Sequence, residues 1–316
     1  MARILVVGAN GFIGSHLVDA LAAAGHEVTA FDRYRSERPA FDVGGARVLA
    51  GDFLSRADLE QAVAGQDVVF HFLSTTTPAT AEGDPTFDLR TNVAQSVELL
   101  QLCVAASVQH FYFASTGGAV YGDQGKAQYV EDDRALPVSP YAIGKLTIEN
   151  YLSYFRATHG LQATVLRISN PYGGRQKTNR VQGLIPIALR RVAAGEPVIR
   201  LGDGSMVRDY LYVGDLVEMI TRMVGRVHAH TTYNLGSGTG HTVNEVLDTV
   251  RRVTGVDFDV VDRPKPATFV DEVVLGIGRY TGEFGAFAFT GLEEGVRRAH
   301  VAIGEQLART VASTSV

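Results

Sequence analysis

"VVGANGFIGSHL", residues 6–17, decides how the chain is read. It places Gly8, Gly11 and Gly14 three apart, between the apolar run "RILVV" and the helical pattern "GFIGSHLVDALAAAG". Glycine tolerates backbone conformations and close approaches that a side chain forbids. Two physical demands produce such a turn. A phosphate can lie against the backbone amides at a helix N-terminus, or a strand and a helix can pack closely around a tight corner. On these residues alone both readings stand.

The flanking sequence extends the pattern. "EVTAF", "ARVLA", "DVVFHF", "HFYFAS" and "ATVLRI" are apolar runs, and helical patterns separate most of them, including a long one within residues 85–107 and another starting near Ser139. Continuous apolar strands alternating with helices predict an α/β fold, a Rossmann-type doubly wound parallel sheet covered on both faces. After residue 170 Gly, Pro and Arg become frequent and the strands short. Residues 1–170 are therefore read as a nucleotide-binding domain, with part of 211–240 packing back on it. Residues 171–316 are read as a smaller, mainly substrate-binding domain bordering the cleft beyond the strand ends. The polar tail "RTVASTSV" is expected to fray.

Composition narrows the function classes. The 316 residues are 46% hydrophobic with a formal net charge of −5, so a sizeable core is expected and no basic block points to nucleic acid. The single cysteine, Cys103 in "LLQLCVAAS", reads as a core thiol. With no partner for a disulfide within the chain, it agrees with a reducing, cytoplasmic compartment. "MARILVVGANG" reads as a strand rather than a signal peptide. No apolar run reaches the ~18 residues of a membrane span. No metal site is read from the sequence.

With a strand before it and a helix after it, the glycine turn meets the structural requirement for a dinucleotide site, and Phe12 and Ile13 open the helix beside it. The second strand ends at Asp32, 18 residues after Gly14. An acid there can accept hydrogen bonds from an adenosine ribose and repel a 2′-phosphate, favouring NAD over NADP. The plainer reading is a loop acid at a strand end. Asp52, with Phe53 beside it, follows the third strand and reads either as an adenine contact or as the N-terminal region of the next helix.

"SPYAIGKLTIENYL" brings a second constellation. Ser139 and Pro140 are helix-start residues. Tyr141 and Lys145, four apart, share one helix face. A free tyrosine titrates near ~10. A nearby ammonium favours its phenolate, which makes Tyr141 a candidate base. Such a pair on its own is usually only a helix surface. It gains weight because "FASTGG" precedes it and puts the hydroxyls of Ser115 and Thr116 at a strand's carboxyl end.

These pieces together identify a resemblance. The chain resembles the extended short-chain dehydrogenase/reductase family, in particular its nucleotide-sugar epimerase branch of the UDP-glucose 4-epimerase kind. The resemblance rests on the glycine turn, "DVVFHF", "TNV" at 91–93, "ASTGGAVYG" at 114–122, "SPYAIGK" at 139–145, "RISNPYGGRQ" at 167–176, "RDYLYVGDL" at 208–216 and "YNLGSG" at 233–238. It implies a bound NAD and a catalytic set of Thr116 or Ser115, Tyr141 and Lys145. Tyr141 would exchange the proton of the sugar 4-hydroxyl, and Lys145 would also hold the nicotinamide ribose. Asn170 and Arg208 match positions that meet the nucleotide diphosphate, with Asn92 and Ser169 near them. The substrate implied is a nucleotide sugar, a UDP-sugar first among them.

The chain also departs from its relatives. The family's dehydratases carry an Asp–Glu pair after the hydroxyl residue, where this chain has Gly117 and Gly118. Leu201 stands where an aromatic commonly stacks on the base, which leaves base and sugar open. "FLSTTTPATAEGDP" differs from the simpler family segment, and its hydroxyls read as a capped surface loop before a sugar pocket. Three functions are carried forward: a 4-epimerase, a 4-ketoreductase or other sugar oxidoreductase, and an NAD-binding protein without catalysis. The resemblance further implies a homodimer through the helices around 85–107 and after Ser139, with Leu146, Tyr151, Leu152 and Phe155 as its apolar surface.

Overall fold

The computed structural model describes residues 1–34, 38–176, 183–266 and 268–314. Strands β1 (Arg3–Val7), β2 (Glu27–Asp32), β3 (Ala46–Ala50), β4 (Val68–His71), β5 (His110–Thr116) and β6 (Gln162–Ile168) join Thr232–Leu235 in one seven-stranded sheet. Its order is Thr232–Leu235, β6, β5, β4, β1, β2, β3, and every pairing is parallel. The run "RILVV" shows why. Ile4 and Val6 pack with Leu17, Val18 and Leu21 of helix α1 (Phe12–Ala23), while Leu5 and Val7 face the opposite layer with Leu99, Leu100 and Phe111. Alternate side chains of a strand point to opposite faces, so an unbroken apolar run means that both faces are covered. This is the doubly wound sheet expected from the alternating runs.

The strand order reverses at β1, which has β2 on one side and β4 on the other. In open α/β sheets ligands bind in the crevice at such a point, beyond the carboxyl ends of the strands. The glycine turn leaves β1 at that point. Two further segments flank the crevice. One helical run comprises Pro85–Asp88, a π-helical stretch Leu89–Ala94, and Gln95–Ala105. The other is helix Pro140–His159: the Ser139 hydroxyl accepts from Ala142 N at 3.3 Å, Pro140 takes the first position and Gly160 ends it at φ +69°.

After residue 170 the chain moves between two cores. Helices Leu184–Ala193, Val243–Thr254 and Leu292–Thr314 surround a separate cluster that includes Ile185, Leu189, Val246, Val250 and Val296. Helix Val213–Met223 instead packs on α1 through Leu216, Met219 and Ile220, and Thr232–Leu235 closes the edge of the large sheet. Tyr280 and Phe284 of helix Gly278–Phe284 join that same first core, a return that the division at residue 170 leaves out. The C-terminal tail is helical as far as Thr314, and the last two residues lie outside the described ones. Among the described residues no helix is long and apolar enough to cross a membrane. Cys103 is buried in the core.

Candidate active site

The glycines of the turn are needed sterically. Gly8 has φ +90°, in the left-handed region, and a Cβ on it would stand 2.7 Å from Leu73 N. A Cβ on Gly14 would collide with the Gly8 carbonyl oxygen. Gly11 caps α1 without a side chain. The first-turn amides and the positive end of α1 therefore face the crevice. Asp32 ends β2 beside them: its carboxylate accepts from Asn10 N at 3.0 Å and from Arg33 N at 2.7 Å. The acid and the turn are thus one structural unit, while Phe12 and Ile13 are half-buried at the start of the helix. A cradle that tolerates no Cβ, with an acid at the next strand end, fits a dinucleotide.

Asp52 is placed beyond β3, where its carboxylate accepts from Leu54 N at 3.0 Å ahead of the Ser55-capped helix Arg56–Val63. That is a turn role, and it leaves the half-buried residue at the crevice side of the sheet. The Phe53 ring is 2% exposed and packs on His71 with centroids 5.1 Å apart.

Strand β5 ends in two hydroxyls with opposite directions. Ser115 is buried and donates to Glu149, which is clamped by Arg167 at 2.7 Å. Arg167 also reaches the Tyr121 hydroxyl at 3.1 Å. Thr116, half-buried, occupies the cap position of the short helix Gly117–Val120 but its hydroxyl does not cap it. The two-fold alternation of the strand turns Ser115 into the polar cluster and Thr116 away from it.

Lys145 lies one turn along the helix from Tyr141. Its Nζ donates to the Ala114 carbonyl at 2.9 Å and stands 4.8 Å from the Phe113 ring centroid and 5.7 Å from that of Tyr141. Burial pushes the ammonium down to about 8, against Asp88 and Glu149, which raise it. Burial, with Lys145 adding to it, holds His71 down to about 3, so that ring is neutral. A buried cation beside a phenol favours the phenolate, which is the electrostatic condition for a tyrosine base.

Beyond β6, Asn170 donates to the Asp209 carbonyl at 3.1 Å and flanks Gly118, while Arg208 sits two residues before the strand partner of Asn170. The Arg208 guanidinium donates to the carbonyls of Val207 at 2.7 Å, Val270 at 2.6 Å and Asp271 at 3.1 Å. Carbonyls orient the fork without neutralising it, which suits it to an anion. Asp209 accepts from Ser237 N at 2.8 Å and from Leu275 N at 3.2 Å, tying the "GSG" loop to this strand. Ser169 is buried beside it. Asn92 is a latch: its oxygen accepts from Thr75 N at 2.9 Å and its amide donates to Asp88 at 2.8 Å. Thr75 and Thr76 bond to the helical run and Thr77 caps helix Pro78–Gly83, so this segment is a built loop held by its own hydroxyls.

Reading by residue type missed Asp88, Glu149, Arg167 and Asp209. One signal was present for the pair. Arg167 interrupts the apolar "ATVLRI", and a buried arginine demands an acid. Glu149, four residues after Lys145 on the neighbouring helix, supplies it.

Comparison with known proteins agrees with this geometry. Residues 4–236 match the model of the NAD dependent epimerase/dehydratase family. The chain is 33% identical to the UDP-glucose 4-epimerase of Mycolicibacterium smegmatis, over 80% of this chain and 83% of that one. It superposes on the Thermotoga maritima UDP-glucose 4-epimerase solved with UDP-glucose, with TM-score 0.90, 32% identity and coverage of 96% of this chain and 99% of that one. The Thermus thermophilus UDP-glucose 4-epimerase solved with NAD gives TM-score 0.88 at 32% identity and the same coverage of both chains.

Proposed function

The chain belongs to the NAD dependent epimerase/dehydratase family, and from that premise we propose that it is an NAD-dependent nucleotide-sugar 4-epimerase acting on a UDP-sugar. The observation that carries the reading is Lys145, pinned by the Ala114 carbonyl beside the Tyr141 ring at the carboxyl end of β5, with no acid after Thr116. The two glycines there are closely surrounded. A Cβ on Gly117 would strike the Leu275 side chain, and one on Gly118 would meet Asn170. Where a dehydratase carries its acid pair, this chain has two glycines and no carboxylate.

Each residue has a distinct task. The amides of the glycine turn and Asp32 hold NAD, and the Asp32 charge favours it over NADP. NAD held there would supply a reversible hydride acceptor for C4 of the sugar. Tyr141, as phenolate, accepts the proton of the 4-hydroxyl as that hydride leaves, producing a 4-keto sugar. When the hydride returns to the other face, Tyr141 returns the proton to the new hydroxyl. Thr116 orients the reacting oxygen, Lys145 holds the charge that stabilises the phenolate, and Arg208 and Asn170 hold the diphosphate.

The test is isotopic. With UDP-glucose carrying deuterium at C4, the label should remain on C4 of the epimerised product. Loss of label to a pool of free cofactor would overturn the epimerase reading in favour of the ketoreductase. Failure to convert any nucleotide sugar while NAD copurifies would leave a binding protein.

The assembly we propose is a two-fold dimer in a reducing cytoplasm. The apolar surface differs from that expected. Leu152 and Phe155 are in the core, and Leu146 packs near Tyr121 and Tyr129. The outer face of helix Pro140–His159 carries the expected Tyr151, 40% exposed, with Ile143 and Tyr154, 47% and 52% exposed, beside Phe87 and Leu89 on the adjoining helical run. Light scattering at micromolar concentration should give twice the chain mass, and Tyr154→Asp should shift it to the monomer. A monomeric unaltered protein would sink the proposal.

A further inference from the structure

Asp88 ends the first turn of the helical run and is 3% exposed. One carboxylate oxygen accepts from the Thr76 hydroxyl and from the Asn92 amide, the latter at 2.8 Å. The Asn92 amide has no freedom to turn, because its own oxygen is taken by Thr75 N at 2.9 Å. The other oxygen of Asp88 lies over Gly144, so close that a Cβ there would collide with it. Thus the carboxylate is fixed by neutral donors, and among the described residues no arginine, lysine or histidine forms an ion pair with it. A buried carboxylate held this way still requires a positive charge nearby.

Lys145 follows Gly144, and its surroundings show which charge answers it. Tyr141 and Glu149 face it from its own helix, the Phe113 ring and Ala114 carbonyl from β5, His71 from β4 and Asp88 from the helical run. Glu149 is already neutralised by Arg167 and engaged by Ser115. His71 is neutral and hydrogen-bonds Ser96 at 2.8 Å. Asp88, its carboxylate over the Gly144 that precedes Lys145, is left as the acid without an ion-pair partner among the described residues.

We propose that Asp88 is the counter-charge of Lys145 and a positioning residue for proton transfer at Tyr141, with Gly144 as the gap that lets the carboxylate approach. This deepens the epimerase reading and rests on it for its catalytic meaning, though the charge coupling can be measured without turnover. Glycine inside a helix is otherwise unfavourable, and its presence at 144 is accounted for by the approach. Burial drives Lys145 down to about 8, and of the two carboxylates that oppose this, Asp88 contributes the more. Removing its charge lets the lysine fall further, so the ammonium is lost at a lower pH.

The experiment titrates Lys145 directly. The chain has four lysines, so carbon-labelled lysine gives a spectrum with few signals, and Lys145→Arg identifies the one in question. In Asp88→Asn, which keeps the shape, the Lys145 titration should move down by about one unit or more, the usual effect of an adjacent opposite charge. The high-pH limb of kcat/KM for the UDP-sugar should move down with it, with activity recovering as pH is lowered. Thr76→Val, which removes a donor but no charge, should leave the Lys145 titration in place. An unchanged titration in Asp88→Asn, or a loss of activity equal at every pH, would make Asp88 merely structural and overturn the proposal. Should that variant fail to fold, Gly144→Ala, which displaces the carboxylate, must shift the titration in the same direction. If neither folds, the cluster is a folding element and the proposal falls. A shifted titration in a protein that converts no nucleotide sugar would sustain the coupling and remove the epimerase reading instead.

Discussion

Tyr141→Phe should bind NAD and a UDP-sugar as the unaltered protein does and lose at least ~100-fold in turnover, the low end for removing a general acid–base. The substitution keeps the ring beside the Lys145 ammonium, 5.7 Å from the centroid, so packing is preserved and only the exchangeable proton is removed. Lys145→Ala should lose turnover and cofactor affinity together, because under the proposed function the ammonium would supply both the charge near the phenol and the ribose contact. Thr116→Ala should fall between the unaltered protein and Tyr141→Phe, since in the proposed mechanism it would orient rather than transfer. Ser115→Ala should be milder in turnover, its hydroxyl being committed to Glu149. Single-turnover rates and equilibrium dialysis separate the steps. Full activity in Tyr141→Phe would overturn both the epimerase and the ketoreductase readings.

The elements behind that expectation were legible to different depths. The strand–glycine–helix unit was readable because its signals are local: an unbroken apolar run, residues free of Cβ, then a run of period three to four. The helix start at Ser139 was readable for the same reason, since a hydroxyl cap and a proline act within one turn. Ser115 and Thr116 were not separable in sequence. Which of two adjacent hydroxyls faces the crevice depends on a polar partner from another helix, Glu149, and ultimately on Arg167 in the next strand. Phe53, whose place after β3 suggested the cofactor, has its ring in the core against His71, a burial that the sequence position alone does not show. Core packing likewise withdrew Leu152 and Phe155 from the expected dimer surface, since a helix flanking a sheet spends its best apolar face on the core. Asp88 escaped notice because acids near helix starts are common surface residues. Its burial is set by the loop of Thr75 and Thr76, which bonds to Thr91 and Asn92 across sixteen or seventeen residues.

Arg167→Met should destabilise the protein by about 3–5 kcal/mol, the usual consequence of removing one member of a buried ion pair. Both side chains are nearly shielded from water, at 9% and 7% exposure, and Arg167 holds Glu149 through three contacts of 3.3 Å or less. Methionine fills similar space but leaves the Glu149 carboxylate with the Ser115 hydroxyl as its remaining hydrogen bond among the described residues and no ion-pair partner. The Tyr121 hydroxyl, which receives an Arg167 N–H at 3.1 Å, would lose that bond and keep its own to Asn234 at 2.7 Å. The loss therefore comes from an unpaired buried charge rather than from a cavity. Pairing the change with Glu149→Met tests that account, because removing both charges together removes the penalty, and the double variant should recover most of the stability. Urea unfolding of the two single variants and the double one gives the coupling. A single Arg167→Met that costs less than about 1 kcal/mol would show that water or a shifted side chain satisfies Glu149. The β5 end would then owe its geometry to the strand ladder alone, with Ser115 and Arg167 as register partners across β5 and β6.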